Sequence, residues 1–156
     1  VIYPFRPDEI EPTSAYPFGI IYRPKIPIRI GVGDGRREPF FGLLDTGADD
    51  SKTTFSQAEW LGVTLDRSSP IPFRGVRSTT FGDFGEVTME LRQKGRSYVC
   101  SAKVAFLPDP NDPSPEEQAR VVLGHTSFFR FFRATFDFQR NRVKLKANSL
   151  FVGRPR

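Results

Sequence analysis

Phe40-Phe41-Gly42-Leu43-Leu44-Asp45-Thr46-Gly47-Ala48-Asp49-Asp50-Ser51 is the stretch on which the reading of this chain turns. The apolar run from Phe40 to Leu44 predicts a fully buried strand. It stops at a carboxylate. Asp45 at the mouth of a buried strand is costly unless a partner or a reaction uses its charge. Thr46 adds a hydroxyl that both donates and accepts. Gly47 lets the backbone turn sharply and lets other groups come close. Asp-Thr-Gly on its own also describes an ordinary loop leaving a strand, so the rest of the chain has to supply the context.

Upstream, Ile26, Ile28, Ile30 and Val32 alternate as a half-buried strand does, and Gly33-Asp34-Gly35 signals a turn. The return strand, Pro39 to Leu44, delivers Asp45. Downstream, Lys52 to Phe55 predicts a short strand. Ser56-Gln57-Ala58-Glu59 has capping-box spacing, and Gly62 is a helix stop, so one short helical turn is expected between them. Trp60 reads as a packing residue. Residues 70–92 predict a hairpin whose middle, Arg77 to Gly85, is small, polar and punctuated by glycine. Val87, Met89 and Leu91 then alternate on a strand. After a turn at 93–96, Tyr98, Cys100, Ala102, Val104 and Phe106 alternate again. Residues 107–118 hold four prolines and read as a solvated loop, and their acidic residues lack calcium-loop spacing. Val121-Val122-Leu123-Gly124 is a second apolar run ending in glycine. A closing hairpin pairs the alternation of Phe132, Ala134, Phe136 and Phe138 with Val143 and Leu145.

A chain of 156 residues supports one well-buried domain, and 38% hydrophobic residues, sixteen of them Phe, support a packed core. No apolar run approaches membrane-spanning length. Ten residues of the first 25 are Pro, Tyr or Phe, at positions 3, 4, 5, 7, 12, 16, 17, 18, 22 and 24. Proline denies that segment a helix, so residues 1–25 read as an extended arm lying on the domain or on a partner subunit. Residues 26–147 read as the domain and 148–156 as a tail. The formal charge of +5 raises the question of an acidic partner, but the basic residues are spread along the chain and read as a solvated surface. Cys100, the sole cysteine, reads as a buried strand thiol, and one cysteine with one histidine, His125, does not make a zinc site within a chain. No metal and no cofactor are expected. A single cysteine and no visible secretory signal point to the cytoplasm, with a processed or targeted precursor left open.

The segment Leu43-Leu44-Asp45-Thr46-Gly47-Ala48-Asp49 closely resembles the active-site segment of retropepsin-like aspartic proteases, the single-domain relatives of pepsin. Val121-Val122-Leu123-Gly124 resembles the family's downstream apolar-apolar-Gly signature, and the closing hairpin resembles that of bacterial-type members. The resemblance covers residues 20–147. It implies an all-β, retropepsin-like closed barrel or sandwich with one or two short helices, one of them over Thr126–Phe132. It also implies that the Val121 run threads a wide loop beside Asp45. Asp45, Thr46 and Gly47 would be catalytic. Ala48, Asp49 and Asp50 would contact substrate, together with Gly75, Val76 and Arg77 of a flap. Where many cellular members carry Arg-Asp after the glycine, this chain has His125-Thr126.

Aspartic proteolysis needs two carboxylates, and this chain has Asp-Thr-Gly once. The resemblance therefore implies a homodimer with one Asp45 from each copy and a polypeptide substrate. One alternative is a catalytically silent module of the same fold that dimerises or binds peptides. Another is a nucleic-acid binder using Arg130, Arg133, Arg140, Arg142, Lys144 and Lys146 with interleaved Phe. The alternation assigns those Phe to the core and those charges to solvent, so nucleic acid is not expected.

Overall fold

A computed structural model describes residues 1–74, 79–93, 95–110 and 120–148. The strands are β1 (Ile2–Pro4), β2 (Arg6–Glu9), β3 (Ile20–Arg23), β4 (Lys25–Gly31), β5 (Arg37–Leu44), β6 (Lys52–Thr54), β7 (Leu65–Arg74), β8 (Thr79–Gln93), β9 (Arg96–Leu107), β10 (Arg120–Leu123), β11 (Phe132–Asp137) and β12 (Arg142–Ala147). A helix, α1 (Phe55–Leu61), follows β6, and a π-turn, His125–Phe129, follows β10. The largest sheet runs β4-β5-β10-β6-β9-β8-β7, and β4 also pairs with β8. That extra pairing closes six strands into a ring and leaves β7 outside it. One edge of β8 serves two neighbours: residues 79–85 face β7, and residues 88–90 face β4. The sheet has the all-β character expected.

Period-two alternation decides what is inside. Ile26, Ile28 and Ile30 of β4, Val87, Met89 and Leu91 of β8, and Val104 and Phe106 of β9 are all at most 3% exposed. β5 departs from the expected full burial. Phe40, Gly42 and Leu44 turn inward, whereas Phe41 is 43% exposed. Only one face of the sheet is covered here, and the Arg6 guanidinium lies over the Phe41 ring at 3.9 Å.

Two further expectations are corrected. Thr54, not Ser56, is the N-cap of α1, and no side chain of the helix caps it. The Ser56 N–H is instead met from outside by the Asp109 carboxylate, 3.1 Å away at the end of β9. Gly62 does end the helix, in the left-handed conformation. The polar, glycine-punctuated segment at 79–85 is strand throughout. Its glycines make room for neighbours: a Cβ on Gly85 would collide with Val63 and come within 3.0 Å of Phe106. Residues 75–78, where Gly75, Val76 and Arg77 were read as flap, lie outside the described residues.

Residues 1–25 lie on their own domain. β1 pairs with β12, and β11 completes that three-stranded sheet. Tyr3 and Phe5 enter the core. β2 and β3 form a separate hairpin, and its Asp8, 4% exposed, is paired with Arg23 and Lys25. Cys100 is half-buried on β9, and burial pushes its thiol up to about 12.

Glu90 ties the ring together where β4, β5, β8 and β9 meet. Its carboxylate is 4% exposed and receives Arg92 Nε at 2.7 Å and Ser97 Oγ at 2.5 Å, with Arg37 of β5 at 3.8 Å. Burial pushes this carboxyl up, but the hydrogen bonds from Arg92 and Ser97 and the charges of Arg92 and Arg37 outweigh it, so it lies below the ordinary glutamate range. A carboxyl lowered in the folded state stabilises the fold above its unfolded range, and that contribution is lost as pH falls through the folded value. Glu90→Gln is therefore expected to lower stability by about 2 kcal/mol at pH 7. The gap between variant and wild type should close in strong acid. Urea unfolding of both proteins across that range measures it, and a gap independent of pH would assign Glu90 a packing role only.

Candidate active site

The hydrogen-bond ladder between β5 and β10 leads directly to Asp45. The two strands run parallel, with Leu44 opposite Leu123, and the Asp45 N–H donates to the Leu123 carbonyl at 3.1 Å. β6 then lies on the other side of β10, antiparallel to it. Residues 45–51 therefore form a wide loop that starts on one side of β10 and lands on the other. The threading that the resemblance implied is present in the strand order itself.

Gly124 stands at the crossing. A Cβ there would lie 2.5 Å from the carbonyl carbon and oxygen of Asp50 and 2.8 Å from the Ala48 oxygen. Only glycine allows that approach. Ser51, completely buried, fastens the landing: its hydroxyl accepts from the Gly124 N–H at 3.0 Å, and its N–H donates to Ser127 Oγ at 3.1 Å. The Ser51 carbonyl accepts from the Ala105 N–H at 2.9 Å. Each polar group is thus removed from water with a partner.

Within the loop, the Gly47 N–H donates to Asp45 Oδ1 at 2.9 Å and the Ala48 N–H to the Asp45 carbonyl at 3.2 Å. These bonds turn the chain back on itself and orient the carboxylate. Asp45 is half-buried, while Thr46 and Gly47 are exposed. Ala48 is buried, and its carbonyl is taken by the His125 N–H at 3.0 Å. The exposed Asp49 has its carbonyl taken by the Thr126 N–H at 2.8 Å. Asp50 is half-buried and accepts from the Thr126 hydroxyl at 2.6 Å. The structure brings Asp45 to Asp50 together, and Gly75, Val76 and Arg77 are not among the described residues.

The segment expected as a helix over Thr126–Phe132 is a π-turn one residue earlier, after which Phe132 already belongs to β11. The loop's carbonyls explain the shift. His125 and Thr126 turn their N–H groups onto Ala48 and Asp49, so the turn begins at His125. Sequence reasoning passed over His125, Ser51 and Ser127 as site residues. The available signal was their position: Ser51 closes the Asp45 segment, and His125 directly follows the Gly124 signature. Asp137, at the end of β11, is structural. It receives Arg142 Nε at 3.0 Å and caps a short 3-10 turn through the Arg140 N–H at 3.1 Å.

Ser51→Ala would leave the Gly124 N–H buried and unpaired, and is expected to destabilise the fold by about 2 kcal/mol. Asp45→Asn keeps an acceptor for Gly47 and should stay within about 0.5 kcal/mol of wild type. Denaturant midpoints of the two variants check this contrast.

No protein-family model and no curated protein sequence matches the chain. Among solved structures, it is similar to the EIAV protease complexed with the inhibitor HBY-793, at 26% identity and a TM-score of 0.42, covering 66% of this chain and 82% of that one. It is also similar to a retropepsin-like aspartic protease from Rickettsia conorii, at 15% identity and a TM-score of 0.46, covering 94% of this chain and 97% of that one. The arrangement described above is all-β, with β10 threaded through the Asp45 loop as the resemblance in the sequence implies.

Proposed function

We propose that the chain is an aspartic endopeptidase that works as a homodimer, with Asp45 of each copy forming the catalytic pair. The observation that supports this most is the Asp45 loop. It orients one carboxylate through the Gly47 N–H and leaves Thr46 and Gly47 open to solvent at its tip. A second copy meeting the first at that tip would set two such carboxylates side by side.

Two carboxylates in contact do not both ionise, so the pair holds one proton. The ionised member takes a proton from a water molecule, and that water attacks the scissile carbonyl. The protonated member donates to the carbonyl oxygen as it gains negative charge. The Thr46 hydroxyl, exposed and with no hydrogen bond inside the described residues, is free to reach the second copy. A polypeptide would bind as an extended strand, its backbone bonded to the loop and its side chains in flanking pockets. Ala48 and Asp49 already spend their carbonyls on His125 and Thr126, and the Ala48 N–H is taken by the Asp45 carbonyl, so their share in substrate binding falls to the Asp49 carboxylate.

Asp45→Asn should abolish peptide cleavage while the protein keeps its dimer. Excess variant mixed with wild type should poison activity, because mixed dimers hold one normal carboxylate. Cleavage of a peptide library followed by mass spectrometry checks both, and cleavage by Asp45→Asn at the wild-type rate would reject the mechanism. An inert wild type would favour the catalytically silent module instead.

Activity should fall on dilution below the dimer dissociation constant. The pH–rate profile should be bell-shaped, since only the singly protonated pair works. Sedimentation at assay concentration tests the first point. Full activity from a monomer would require a second carboxylate within the chain.

A further inference from the structure

The peptide unit between Thr46 and Gly47 is held at both ends. Its N–H, on Gly47, donates to Asp45 Oδ1 at 2.9 Å. Its carbonyl, on Thr46, lies 2.7 Å from His125 Nε2. A carbonyl oxygen only accepts, so Nε2 carries the proton and donates. A peptide unit is planar and rigid, so turning one end turns the other. His125 therefore acts on the Asp45 carboxylate through one amide plane, without touching it.

The imidazole is itself braced. It meets Phe129 edge-on, with centroids 5.5 Å apart, and Phe129 meets the buried Phe128 edge-on at 5.6 Å. The backbone of the same residue donates to the Ala48 carbonyl, and Thr126 bonds Asp49 and Asp50. His125 and Thr126 thus contact residues 46, 48, 49 and 50. The His125 side chain supplies the contact nearest the carboxylate.

We propose that His125 is a positioning residue for the reaction, holding the Thr46–Gly47 peptide so that its N–H stays aimed at Asp45 Oδ1. This rests on the aspartic-protease reading for its consequence in catalysis, but the positioning itself belongs to the single chain. Donation into the carbonyl also polarises the amide and strengthens the bond its N–H makes to the carboxylate. Replacing a histidine by alanine here removes one donor and no group that meets substrate. The cost should appear in kcat and leave KM nearly unchanged.

Three variants and two measurements test this. His125→Ala removes the donor, His125→Phe keeps a ring against Phe129 without it, and His125→Gln returns an amide N–H near the place of Nε2. The measurements are kcat and KM on a cleaved peptide, and hydrogen exchange of the Gly47 amide. Ala and Phe should each lower kcat about ten- to a hundredfold with KM within about twofold. Both should speed Gly47 exchange about tenfold or more. Gln should recover both readouts to within about threefold. Wild-type values of kcat and exchange in Ala and Phe would overturn the proposal. So would Gln behaving no better than Ala, or Phe matching wild type, since packing would then be the whole effect. If wild type cleaves no peptide, the protease reading fails by itself, and the Gly47 exchange rates still decide whether His125 positions the loop.

Discussion

The close approach at Gly124 is the constraint on which the Asp45 loop depends. The backbone of Asp50 passes so near that no side chain fits between them. That contact exists because β10 lies between β5 and β6, and the loop joining those two strands has to wrap around its end. Once the loop is wrapped, its polar groups are met in turn by Leu123, Ser51, Ser127, His125 and Thr126. A carboxylate at the end of a buried strand is tolerable because the backbone around it is so completely bonded. What stays open to solvent is the tip, Thr46 and Gly47, although the peptide unit between them is bonded to Asp45 and to His125.

Beneath the loop, the floor is aromatic. Phe128 and Phe132 stack at 4.9 Å, and Tyr98 of β9 meets Phe132 edge-on at 6.0 Å. These rings join the β1-β12-β11 sheet to the ring of strands, so the π-turn that carries His125 sits on a dense support. Glu90 does the equivalent work with charge on the far strands, where hydrogen bonds from Arg92 and Ser97 overcome the cost of burying it. Apolar packing holds the site's floor, and one buried carboxylate on β8 ties in β9 and β5. The two devices adjoin on β9, where Ser97 bonds Glu90 and the neighbouring Tyr98 packs on Phe132, so changes in one should couple to changes in the other.

The N-terminal residues show how a proline-rich segment is used without disturbing a sheet. Pro4 and Pro7 sit in β1 and β2, which pair on one side only. Their missing N–H groups remove nothing from an interior ladder. Tyr3 and Phe5 still reach the core between them. The tip of the β2–β3 turn carries Tyr16 and Phe18 outward, Phe18 89% exposed.

The sequence by itself determined most core strands and singled out the Asp45 carboxylate, because both are written locally. Alternation at Ile26-Ile28-Ile30 or Val87-Met89-Leu91 needs no partner to be read, and an apolar run ending in Asp-Thr-Gly is a single continuous signal. It also carried Gly124 through the apolar run before it, though not the reason for that glycine. Tertiary structure alone decided the rest. Whether Phe41 faces inward depended on which face of the sheet was covered, and whether Ser56 capped a helix depended on Asp109 arriving from β9. His125 offers no pattern of its own. It becomes part of the site only when the threaded strand carries it to Thr46, 79 residues earlier in the chain. Pairing across that separation is a property of the whole fold, and no local window of residues contains it.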